Sequence, residues 1–131
     1  MKIQSSFMKN FYINLVISKL RERDEEVKQH EMAHLSAGGQ YVKGGPSYKY
    51  VKGPDGKMYA VGGEVEIDTS PEKDPEKTIK KMEQIKRAAL APRNPSAQDK
   101  MVAEKAAIEE MKARMELWNK KYSINSVNIY I

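Results

Sequence analysis

The spacing of apolar positions changes along the chain, and each change marks an element. Leu15, Leu20, Val27, His34 and Leu35, with the small Ala33 and Ala37, form an imperfect stripe at helical spacing, so a helix is expected from about Leu15 to Ala37. Gly38-Gly39 ends it, because glycine takes the left-handed cap conformation without penalty. Residues 1–14 are a poorly defined lead, read as the start of that helix behind a loose Met1 to Ser6 tail, with a short strand as the alternative. Beyond the glycines the period shortens. Tyr48-Lys49-Tyr50-Val51 and Met58-Tyr59-Ala60-Val61 flank Gly53-Pro54-Asp55-Gly56, which predicts a hairpin. Glu64-Val65-Glu66-Ile67-Asp68 then alternates as a further strand, with three carboxylates on one side and Val65 and Ile67 on the other.

Helical spacing returns after Thr69-Ser70-Pro71. Asp74 caps a helix with Pro75 in its first turn, and Ile79, Met82, Ile85 and Ala89 make its buried stripe as far as Ala91-Pro92. A second helix starts at Ser96, with Asp99 a weak capping-box partner. Its Met101, Ile108, Met111, Met115, Trp118 and Tyr122 follow a seven-residue spacing, interrupted at Glu104, and are expected in the core or in helix-pair packing. Residues 122–131 alternate loosely and read as a C-terminal tail or a last strand. The expected architecture is one α+β domain over residues 1–131: a long helix, a small antiparallel sheet and two C-terminal helices.

Composition narrows the chemistry. With 131 residues, 31% charged and 40% hydrophobic, the chain can bury one modest core. It has no cysteine, hence no disulfide framework and no thiolate metal site. No apolar run approaches the ~18 residues of a bilayer span, and no small-residue cleavage site follows Phe11 to Ile17, so no transmembrane segment and a cytoplasmic location are expected. The net charge of +5 includes Lys77, Lys80, Lys81, Lys86, Arg87 and Arg93 against Glu83 alone. Without a nucleic-acid motif or interleaved aromatics this reads as a solvated helix face, and no specific nucleic-acid partner is expected.

The chemical signal lies inside the first helix. His30-Glu31-Met32-Ala33-His34 fits the H-E-x-x-H zinc-protease pattern and uses both histidines of the chain. Residues four apart on a helix sit about 40° apart round the axis and about 6 Å along it, so both rings can aim a nitrogen at one ion. Glu31, one residue round from His30, can reach a water beside that ion without binding it. Zinc lowers the pKa of bound water to about 7, and a carboxylate can then take its proton as the water attacks a carbonyl. In the longer H-E-x-x-H-x-x-G-x-x-H pattern Ala37 and Gln40 would hold the glycine and third-histidine positions, so the chain is outside that subclass.

With both histidines used, a third protein ligand has to be acidic, or less readily Tyr. Glu64, behind Gly62-Gly63, is the preferred candidate, because the missing side chains let the backbone come close to a neighbour; Glu66, Asp68 and Glu104 remain open. Hydrolysis also needs a donor for the developing oxyanion. Tyr48 and Tyr59 of the hairpin are the candidates, with an arginine or backbone N–H groups as alternatives, and ordinary cross-strand packing explains the tyrosines equally well.

The same residues carry a family resemblance. His30-Glu31-Met32-Ala33-His34, Ala37-Gly38-Gly39, Gly44-Gly45-Pro46-Ser47-Tyr48, Gly53-Pro54-Asp55-Gly56-Lys57-Met58-Tyr59-Ala60-Val61-Gly62-Gly63-Glu64-Val65, Ile67-Asp68-Thr69-Ser70 and Ala89-Leu90-Ala91-Pro92 together resemble the SprA-related family, a bacterial family assigned as metalloproteases mainly from the motif. The resemblance runs from about Arg23 to Ala113 and implies a zincin-like fold, His30 and His34 as ligands of Zn2+, and Glu31 as the catalytic acid or base. Glu64 falls in the family's Gly-Gly-Glu motif. Members usually carry a long polar N-terminal region, where this chain has a short apolar lead.

Two functions from different classes follow. The first is a zinc-dependent peptidase acting on a peptide or protein, with a water activated by Glu31. The second is a catalytically silent zinc module, structural or partner-binding, which would close its site with four protein ligands. The basic helix leaves a polyanion-binding surface as a third reading, one whose affinity would fall steeply with salt.

Overall fold

The computed structural model describes the backbone of residues 2–129 and the side chains of residues 5–123. Within those residues it builds an α+β fold of three helices and one two-stranded antiparallel sheet: α1 (Lys2–Gly38), a 3-10 turn (Gly39–Tyr41), β1 (Val42–Lys52), β2 (Met58–Ile67), α2 (Pro75–Ala89) and α3 (Ala97–Ile129).

α1 starts at Lys2, so the lead segment is helical and the alternative strand is not formed. It ends where expected: Gly39 has a φ of 52°, a conformation that costs glycine little. One face of its C-terminal half is interior, with Val27, Glu31 and His34 buried at spacings of four and three.

The sheet is one long hairpin. The alternating Glu64 to Ile67 stretch is the second half of β2, not a separate strand, with Tyr48 opposite Gly63 and Val42 opposite Ile67. Pairing is irregular between Lys43 and Ser47 and between Lys49 and Tyr50. At the turn, the Gly53 N–H donates to the Lys57 carbonyl (2.8 Å) and that of Gly56 to the Gly53 carbonyl (3.0 Å). α1 grips the other edge of β2: the Asp24 carboxylate accepts from the Ala60 N–H at 2.8 Å, and Arg23 Nε donates to the Val61 carbonyl at 3.3 Å.

α2 forms as its signals require. Asp74 Oδ1 accepts from the Glu76 N–H at 3.1 Å, Pro75 opens the helix, and Ile79, Met82, Ile85 and Ala89 are all buried. The central cluster is Met82, Ile85 and Ala106, with Tyr41, Ile67 and Val102 packed against it. Lys81, expected on a solvated face, is 2% exposed. It is tethered by Asp68 (3.0 Å), the Ser70 hydroxyl (3.4 Å) and Glu72 (3.5 Å), and its charge lies 5.3 Å from the centre of the Tyr41 ring.

α3 departs most from expectation. Its inward face is made by Ala103, Ala106 and Ala113, whose small side chains allow close approach to α2, whereas the Met101 to Tyr122 stripe faces solvent. The last strand is not formed either: residues 122–129 continue α3, and residues 130–131 lie outside the described residues.

Candidate metal centre

Three elements bring the chemistry together. α1 supplies His30 and His34, whose rings meet edge to face with centroids 5.0 Å apart. The acid that meets them comes from the first turn of α3. Asp99 closes a reciprocal capping box, its N–H donating to the Ser96 hydroxyl (3.0 Å) while its Oδ2 accepts from the Ser96 N–H (2.9 Å). That geometry aims the carboxylate back at α1, with His30 Nε2 3.0 Å from Oδ2 and His34 Nε2 3.1 Å from Oδ1. The capping residue and the third donor are one side chain.

The end of α2 sets the tautomer of His34. Its Nδ1 is 2.8 Å from the Ala88 carbonyl, which can only accept, so Nδ1 carries a proton. In the neutral ring Nε2 then presents a lone pair, and so does the carboxylate oxygen facing it. Two acceptors at 3.1 Å are held together only by a cation between them, a proton or a metal ion. One donor atom from each of His30, His34 and Asp99 lies within 4.8 Å of the others, a group that could hold a metal ion. Each histidine faces its own carboxylate oxygen, so one ion would take one of these oxygens together with the two ring nitrogens. The Ala88 carbonyl is the kind of outer partner that fixes a metal-binding imidazole.

Glu31 sits beside this group, 4% exposed, and its Oε2 has no hydrogen-bond partner. Burial raises its pKa, and the neighbouring histidines offset only part of that rise. Asp99 shows the opposite balance. Burial opposes its ionisation, but the Ser96 N–H, His34, the Ser96 hydroxyl and His30 together outweigh it and hold the carboxyl below its usual range. Two carboxyls in one site are thus pushed apart, one toward keeping a proton and one toward keeping its charge.

Gly63 explains how β2 comes so near. A Cβ there would lie 3.1 Å from Glu31 Cγ, 3.0 Å from the Tyr48 ring and 3.1 Å from the Ser47 carbonyl, so strand and carboxylate touch across a missing side chain. The site opens into a cavity of about 970 Å³ whose wall includes Gly62 to Ile67 of β2, with Arg23, Arg93 and Lys105 as its cations.

The acid that the structure brings to the histidines is Asp99, which was not among the expected third ligands Glu64, Glu66, Asp68 and Glu104. Glu64 is exposed in the cavity wall, near enough to raise the Glu31 pKa by its charge. Glu66 is exposed in the same wall, Asp68 is bound to Lys81 and Ser70, and Glu104 is exposed on α3 away from the cavity. Tyr48 is half-buried against Gly63, one residue's width from Glu31. Tyr59 is not brought to the site, since its hydroxyl donates to Asp55 in the hairpin turn. The sequence signal for Asp99 was its place three residues after Ser96, which marks a cap but does not say what the cap faces.

Compared with known families, residues 4–125 match the model described as the SprA-related family. No curated protein and no solved structure matches the chain.

Proposed function

This chain belongs to the SprA-related family, and on that footing we propose that it is a zinc-dependent peptidase with His30, His34 and Asp99 as ligands and Glu31 as general base and then general acid. The observation that carries the reading is the unpartnered, buried Glu31 Oε2 beside three converging donors. A closed structural site would have a fourth protein donor there, whereas this one opens into a cavity.

Zinc, when bound, acidifies a coordinated water and polarises the scissile carbonyl. The protein's own part is proton transfer and positioning. Glu31, with its pKa raised by burial, accepts a proton from the attacking water and returns it to the leaving amine. Asp99 stays ionised, as a ligand must, and the Ala88 carbonyl orients His34 through Nδ1. Beyond Arg23, the part of β2 from Gly62 to Glu66 lies along the cavity, where an extended peptide could run beside it. Arg23, Arg93 and Lys105 are the candidate donors for the oxyanion; Tyr48, packed against Gly63, is not part of the cavity wall.

The test is zinc content per chain together with cleavage of a fluorogenic peptide library. Wild type should hold one zinc, kept by Glu31→Gln and Glu64→Ala and lost by His34→Ala. Glu31→Gln should lower kcat by at least about a hundredfold, the lower end of what a positioned acid–base contributes. Turnover by a zinc-loaded Glu31→Gln variant at the wild-type rate would remove Glu31 from its role. Zinc without turnover in wild type would favour the silent module.

A further inference from the structure

α3 is apolar on two opposite faces. Ala103, Ala106 and Ala113 pack inward, while Met101, Ile108, Met111, Met115, Trp118 and Tyr122 are between 39% and 67% exposed. At 100° per residue the centres of the two faces lie about 160° apart, so one residue set cannot serve both. The outward set keeps a seven-residue repeat from Met101 to Tyr122, a straight seam about 32 Å long. At its far end the Trp118 and Tyr122 rings stack with centroids 4.0 Å apart, the residue types that anchor interfaces.

The charges beside the seam say what can cover it. Lys105 and Lys112 border one side, Arg114 and Lys121 the other. Arg114 is engaged by Glu83 and Glu110 and Lys112 weakly by Glu109, whereas Lys105 and Lys121 have no ion-pair partner among the described residues. A second copy of α3 would bring cation against cation. α1 is no better a complement, since residues 2–21 hold Lys2, Lys9, Lys19 and Arg21 and no acid. An anionic lipid surface fits less well: the seam is a narrow a/d stripe, Glu104 lies within it, and Glu109 and Glu116 stand beside Lys112.

We propose that this seam docks an amphipathic helix of another protein, with apolar residues at heptad spacing and acidic residues flanking them. Coiled-coil flanking positions set partner choice by charge, and here the protein provides the cationic half. Glu104, in place of one apolar residue, fixes the register by asking for a basic or amide side chain opposite it.

Trp118 is the only tryptophan, so its emission reports this surface alone. The probe is a synthetic four-heptad peptide without tryptophan, with Leu and Ile at the core positions except one Asn to face Glu104, and Glu at the flanks, added to the full chain. The Trp118 emission should shift to the blue and saturate at one peptide per chain. A matched peptide with Lys at the flanks should bind at least about tenfold more weakly, a difference of about 1.4 kcal/mol. Lys105→Glu with Lys112→Glu should erase that preference, because Arg114 and Lys121 keep only the other side cationic. Met111→Glu with Met115→Glu should abolish the shift while the circular dichroism stays unchanged, because both side chains are solvent-exposed. Should a variant unfold, the two peptides against wild type decide alone. No shift with the acidic peptide, equal shifts with both, a shift caused by phosphatidylserine vesicles and not by peptide, or Trp118 burial through self-association each overturns the proposal.

Discussion

Gly63 carries more of the site's geometry than its size suggests. A methyl group at that position meets Glu31 Cγ, the Tyr48 ring and the Ser47 carbonyl at 3.0 to 3.1 Å. The backbone carbonyl cannot yield easily, so the displacement falls on Glu31 and Tyr48. Gly63→Ala should therefore cost about 1–2 kcal/mol in chemical denaturation. In the peptidase reading it should also lower kcat about tenfold, because a few tenths of an ångström at a proton-transfer group matter. Asp99 permits a cleaner separation of roles. Asn at that position keeps an oxygen for the Ser96 N–H but lacks the negative charge. Asp99→Asn should leave the metal-free protein within about 1 kcal/mol of wild type, whereas Asp99→Ala should lose about 1 kcal/mol more with the cap. Zinc affinity, read by competition with a chromophoric chelator, should drop more than about 100-fold in both, since loss of a mere outer-sphere partner already costs 10- to 100-fold. Zinc binding at full strength by Asp99→Asn would hand the third position to another acid. The two histidines and Glu31 were legible because one helix sets their spacing. Asp99 was not, because it is 69 residues from His30 and only the packed fold states that distance.

Elements were legible where a local signal fixed both their type and their direction. Asp74-Pro75 and the Ile79, Met82, Ile85 stripe gave α2 its start and its inner face together. On α3 the large apolar residues named a face but not which way it pointed. Alanines, which look neutral in a sequence, made the contact with α2, and the Met and Trp side chains were left outside. Lys81 is the reverse case, a cation in a basic run that turns inward because Asp68, Ser70 and Glu72 meet it. That joint between the end of β2 and α2 gives a pH signature. The Ser70 hydroxyl and N–H, and then Lys81, hold the Asp68 carboxyl well below the usual carboxylate range. A depressed folded pKa adds stability that is fully present above the unfolded value of about 3.9 and is lost as pH falls below it. The wild-type advantage in thermal midpoint over Asp68→Asn should be constant above about pH 5 and shrink below about pH 4. A gap that persists unchanged to pH 2.5 would mean that Asp68 acts by packing or neutral hydrogen bonds, not through its charge.

At the scale of the whole molecule the candidate centre is a clasp. It ties the C-terminal end of α1 to the first turn of α3, with the end of α2 between them through the Ala88 carbonyl. α1 otherwise packs on the sheet and α2 and has little direct packing on α3, so the clasp is what closes α1 onto the start of α3. A ligand that binds only the folded arrangement stabilises it by mass action, about 2.7 kcal/mol when free zinc is 100 times its Kd. For a chain between the small and mid-sized domains this corresponds to a rise of about 10 °C in thermal midpoint. Zinc should produce that rise in wild type and in Glu31→Gln, EDTA should reverse it, and Asp99→Asn should show little of it at the same free zinc. Because the readout is stability, it separates metal binding from catalysis. A rise in wild type and Glu31→Gln with turnover only in wild type is the pattern of a working peptidase. A rise in both with turnover in neither leaves the clasp as a structural device. No rise at any zinc concentration leaves an ionised Asp99 bridging the two rings, and the His30–Asp99–His34 group becomes a hydrogen-bonded network that closes α1 onto the helical pair.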